Sequence, residues 1–147
     1  MPPLPSSTVT FRRVPAGFSR RAIERFACRL QAEVAQGRPF DCLISGDAEL
    51  RRLNREFLGK DYPTDVLSFP ASGPFLGDIA ISFARARAQA RSFGHSTGQE
   101  IQILMLHGLL HLLGMDHATD TGRMARVEKR WRARLGLPTS LIERVRS

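Results

Sequence analysis

The run from Ile101 to Leu113 constrains this chain more than any other segment. It is apolar on almost every face of a helix, so it must be buried against other elements. It is also too short to span a bilayer, and it contains two histidines. Thr97 and Glu100 form a T-x-x-E capping box just before it, and Gly114 supplies the left-handed residue that closes a helix. A chain built around such a helix needs a sheet or further helices to cover it.

The remaining pattern provides them. Thr8 to Arg13 alternates with Val9 and Phe11 on one face and predicts a first strand. Ser19 is placed to cap a helix with the apolar stripe Ala22, Ile23, Phe26, Ala27 and Leu30, ending near Gly37. Phe40 to Ile44 suits a buried strand, and Asp47 caps a helix running to about Phe57. A strand at Asp65 to Phe69 ends at Pro70, with Thr64 and Asp65 as capping residues, and Phe75 to Ile81 forms a fourth strand. Basic helices follow at about Phe83 to Phe93 and Thr121 to Leu135. With four strands, about five helices and no regular βαβ alternation, the expectation is one α+β domain over residues 1–147 with a small mixed sheet. Met1 to Ser7 reads as a loose leader.

Of 147 residues, 22 are Lys or Arg and 14 are Asp or Glu, a net charge of +8. Only Lys60 and Lys129 are lysines. Arginine-rich surfaces bind phosphate bidentately, so Arg85, Arg87, Arg91, Lys129 and Arg130 are the candidate phosphate contacts, and the charge permits nucleic acid without naming it. A solvated basic face explains the same residues without a ligand. Cys28 and Cys42 lack metal spacing, and the expectation is two buried thiols with no disulfide partner. No secretory signal or membrane span is visible, so a cytoplasmic protein is expected.

Three of the four histidines fall in His107-Gly-Leu-Leu-His111-Leu-Leu-Gly-Met-Asp-His117. Residues i and i+4 share a helix face, and Gly114 lets the chain reverse toward the same point. Three neutral imidazoles without cysteine suit one catalytic zinc with an open fourth position. His95, in a Gly-His-Ser-Thr loop, reads as surface or capping chemistry. The spacing is that of the metzincin motif, but Gly108 stands where the peptidase has its glutamate base. A metallopeptidase is therefore one alternative, and a protein whose zinc is purely structural is another. Asp116 could accept a proton, orient a ligand or stabilise the turn. Asp78 is a bulge residue beside Gly77 or a cleft carboxylate. Glu128 and Met124 suit packing or a salt bridge, and Trp131 suits a helix anchor or a base-stacking surface.

The same residues resemble the H-G-x-L-H-L-x-G-x-D-H signature of the YbeY family of bacterial rRNA-maturation endoribonucleases. The likeness extends to Pro63-Thr64-Asp65-Val66-Leu67-Ser68-Phe69-Pro70, Gly77-Asp78-Ile79-Ala80-Ile81-Ser82, Glu100, Met124 and Glu128. It implies a zinc-dependent, single-strand-specific endoribonuclease that matures the 3′ end of 16S rRNA and serves ribosome quality control. It also implies one zinc per chain on His107, His111 and His117 and, were that zinc purely structural, a non-catalytic ribosome-assembly factor. The implied partners are the rRNA precursor and small ribosomal subunit, and could include ribosomal proteins and a ribosome-assembly GTPase. One position departs: the family usually carries arginine just before the Gly-Lys-Asp turn, where this chain has Leu58. Arg55 or Lys60 could supply that charge, and both join Asp116 as candidate catalytic residues.

Overall fold

A computed structural model describes residues 5–116 and 121–138. Its elements are β1 (Thr8–Phe11), α1 (Arg20–Glu33), β2 (Asp41–Ser45), α2 (Asp47–Leu58), β3 (Val66–Pro70), β4 (Gly77–Ser82), α3 (Phe83–Phe93), α4 (Thr97–Leu112) and α5 (Arg123–Leu135). The sheet order is β1-β2-β4-β3. β1 and β2 are parallel, β2 and β4 are parallel, and β3 returns antiparallel to β4. This is the mixed α+β arrangement that the pattern predicts.

Side-chain alternation divides the sheet into two faces. Cys42, Ile44, Ile79 and Ile81 point into the main core with Ile23, Phe26, Ala27 and Leu30 of α1 and most of α4. Leu67 and Ala80 point the other way and pack with Leu50 of α2. Thus α1 and α4 cover one face while α2 covers part of the other. From Ile103 to Leu110 every residue of α4 is buried, as its apolar circumference requires.

Several boundaries differ from expectation. The capping box on α4 is Ser96 with Gln99: Ser96 Oγ accepts the Gln99 N–H, and the Ser96 N–H donates to Gln99 Oε1. Thr97 is then the first helical residue, and Glu100 turns into the core at 0% exposure. Gly46 rather than Asp47 is the N-cap of α2, and Ser19 makes no side-chain cap bond to α1. Asp47 instead accepts Ser82 Oγ–H at 2.6 Å, tying α2 to the end of β4. Asp65 likewise accepts a bond from Gln89 of α3. β4 starts at Gly77, because residues 71–76 are spent on the turn from β3, where the Leu76 N–H bonds Pro39 and its carbonyl accepts Ala71 N–H.

Gly114 closes α4 as expected, at φ +93°, with its N–H on the His111 carbonyl. Cys42 is buried, which pushes its thiol pKa up, but Cys28 is exposed on α1 because it lies off the apolar stripe. Ser7 is not loose: its N–H and Oγ–H both donate to Gln31 Oε1 at 2.7 Å, and its Oγ accepts the Phe40 N–H. Residues 1–4 and the basic tail at 139–147 lie outside the described residues.

Candidate metal centre

One turn of α4 separates His107 from His111, and their Nε2 atoms lie 3.2 Å apart. Two nitrogens bound at about 2.0–2.1 Å to a tetrahedral zinc would lie roughly 3.3–3.4 Å apart, so the spacing fits two neighbouring ligand positions. His117 lies outside the described residues, and among the described residues no three His, Cys, Asp or Glu side chains converge on one metal position. Asp116 is exposed just past the turn that closes α4.

The other ring nitrogen of His107 reaches across to α5. Its Nδ1 is 2.7 Å from Glu128 Oε1, and Arg132 donates to Glu128 Oε2 at 2.8 Å. The salt bridge expected of Glu128 is present. Its contact with His107 was not legible, because it joins two helices 21 residues apart in the chain. The only trace in the sequence is an acid and an arginine four apart on one helix face.

Gly108 faces the sheet. A Cβ placed there would come 2.8 Å from Ile79 Cγ2 and 3.2 Å from Ser68 Oγ, and Ser68 Oγ–H already donates to the Gly108 carbonyl. The position is filled by the sheet, so the departure from the peptidase motif has a packing cause.

His95 is not a surface residue. Its side chain is 7% exposed and its Nε2 is 2.7 Å from Glu100 Oε1, with the Phe93 ring stacked at 6.1 Å. A fully buried carboxylate requires a hydrogen-bonding partner, and the loop histidine is one.

The basic candidates are dispersed. Arg85 is paired with Asp47 at 3.2 Å, and Arg87 lies over the Phe83 ring at 5.7 Å. Arg91, Lys129 and Arg130 are exposed. Trp131 packs against the core with the Arg134 guanidinium over its ring, the anchoring arrangement. Arg55 and Lys60 belong to α2 and its C-terminal turn, an element on the opposite sheet face from α4. Arg55 lies 3.9 Å from Asp61, whose carboxyl pKa is lowered chiefly by its hydrogen bond from Arg51. Leu58 is exposed beside Phe57.

Asp78 is a regular strand residue, in register with Asp41 and with no bulge at that pair. The two carboxylates help line a cleft of about 420 Å³ with Leu43, Leu53, Phe57 and Phe69. Partial burial, and secondarily the Asp41 charge, raise the Asp78 pKa.

Likeness to known proteins runs along nearly the whole chain. The sequence model of the family described as Endoribonuclease YbeY matches residues 15–136. The Endoribonuclease YbeY of Solibacter usitatus is 74% identical over 141 residues, 96% of each chain. That of Koribacter versatilis is 44% identical over 138 residues, covering 92% of this chain and 90% of the relative. A solution structure of a Thermotoga maritima protein shares the fold at a TM-score of 0.58 and 24% identity, covering 94% of this chain and 99% of that one. The signature histidines, the glycine locked between them and the full-length likeness agree, and the chain belongs to the endoribonuclease YbeY family.

Proposed function

We propose that this protein is a metal-dependent, single-strand-specific endoribonuclease of the cytoplasm that matures the 3′ end of 16S rRNA and serves ribosome quality control. One zinc would be held by His107, His111 and His117. The observation that carries the reading is the 3.2 Å approach of the His107 and His111 Nε2 atoms on a buried helix. Its endoribonuclease part agrees with the names of the relatives.

The ion would supply Lewis acidity at the scissile phosphodiester. The chain's own residues would do the rest. Arg87, Arg91, Lys129 and Arg130 would hold backbone phosphates near the ion. Asp116, next to the third histidine, is the candidate to take up a proton. The rRNA precursor and small subunit are the proposed partners, with ribosomal proteins and an assembly GTPase as further ones. The metallopeptidase alternative lacks a base, since Gly108 abuts Ile79 and Ser68.

The test is incubation of purified protein with single-stranded RNA, duplex RNA and matched DNA, with chelator and His111→Ala controls. Cleavage of single-stranded RNA alone, lost with chelator and in the variant, is expected. Single-stranded RNA cleavage that is undiminished by chelator and in the variant overturns the metal-dependent assignment, as does casein hydrolysis that chelator stops.

A further inference from the structure

We infer that Glu128 and Arg132 are positioning residues that fix the ring tautomer of His107 and aim its Nε2 lone pair toward His111. This rests on the reading of His107 as a metal ligand.

The side chains of His107, Glu128 and Arg132 are 9%, 13% and 10% exposed, so water competes little for their hydrogen bonds. Glu128 Oε1 lies 2.7 Å from Nδ1. If the ring proton were on Nε2, two lone pairs would face each other at that distance. With the proton on Nδ1 the contact becomes a charge-assisted hydrogen bond, and the tautomer that this selects carries its lone pair on Nε2. That atom is the one 3.2 Å from His111 Nε2. Arg132, one turn along α5, holds the second carboxylate oxygen at 2.8 Å and so fixes the plane of Glu128. Partners outside the ligand set that orient a metal-binding histidine typically raise metal affinity by about tenfold to a hundredfold.

Two measurements test it. Nitrogen-15 NMR of the imidazole rings in metal-free protein should show His107 protonated at Nδ1. Zinc competition against a chromophoric chelator should show Glu128→Leu binding about ten- to a hundredfold more weakly than wild type, with Glu128→Gln and Arg132→Met in between. Thermal melts of the metal-free variants separate weakened affinity from failed folding. Should Glu128→Leu not fold, Glu128→Gln and the wild-type tautomer still decide the matter. An Nε2-protonated His107, or variants that bind zinc within twofold of wild type, would overturn the inference and leave the zinc reading standing. Wild-type protein that binds no zinc would overturn the zinc reading, while the tautomer measurement would still report on Glu128.

Discussion

Gly108 lies so close to Ile79 that a β-carbon on the glycine would sit 2.8 Å from the Ile79 Cγ2 methyl. The helix carrying the two histidines is therefore seated directly on β4, at the residue that in a metzincin carries the catalytic glutamate. The histidine spacing is shared with peptidases, but the close packing against the sheet leaves no room for their base.

Gly108→Ala should destabilise the fold. Overpacking costs about 1–3 kcal/mol, against a helix-propensity gain of about 1 kcal/mol for alanine over glycine. A net loss of up to about 2 kcal/mol in urea unfolding is expected. Gly108→Glu should lose more and acquire no casein hydrolysis. A variant as stable as wild type would show that β4 yields at this point.

Protein purified without added metal should contain about one zinc per chain by elemental analysis, as expected if His107, His111 and His117 together hold the proposed ion. His107→Ala and His111→Ala should lose that zinc and melt roughly 5–10 °C below the zinc-loaded wild type, by linkage at about hundredfold ligand excess. Unchanged melting after chelation and in both variants would uncouple the site from folding.

RNA affinity should fall linearly with salt on a log–log plot. Neutralising Arg87, Arg91, Lys129 or Arg130 should flatten the slope by roughly 0.7 for each phosphate that is no longer neutralised. Arg85 should matter less, because Asp47 already engages it. Leu58→Arg places a guanidinium beside the Gly59-Lys60 turn. If it acts on the reacting phosphate, cleavage should rise more than binding, and equal gains would mark a binding role only.

Asp78 predicts a pH effect. Its folded-state pKa is raised by burial and by Asp41, so the folded chain holds this proton more tightly than the unfolded one. That stability is complete below the ordinary aspartate pKa and is lost as pH rises through the folded value. Asp78→Asn should therefore stabilise the protein at neutral pH, by about 0.5 kcal/mol for relief of a like-charged neighbour. The gain should vanish in acid. Urea unfolding at both extremes checks this, and a gain that is larger in acid would reverse the sign.

Period and composition made much of this protein legible. The stripe of Ile23, Phe26, Ala27 and Leu30, the apolar circumference of α4 and the glycine that ends it follow from local backbone chemistry. So does the i, i+4 pairing of His107 with His111, because one helical turn suffices to bring them together. The capping box shows where local reading stops. Ser96-x-x-Gln99 and Thr97-x-x-Glu100 overlap, offset by one residue, and satisfy the same pattern. Packing chose between them, because Glu100 is drawn into the core by His95 and only the first register leaves Gln99 to cap.

The sequence by itself determined the α+β class, the buried histidine helix and its two facing imidazoles, since those follow from neighbours within a turn or a strand. Tertiary structure alone decided that Gly108 meets Ile79, that Glu128 reaches His107, that the His95 side chain is buried against Glu100 and that Asp78 shares a cleft with Asp41. Most of these join elements distant along the chain. Their contacts depend on how helices seat on the two faces of the sheet, and spacing along the chain does not encode that.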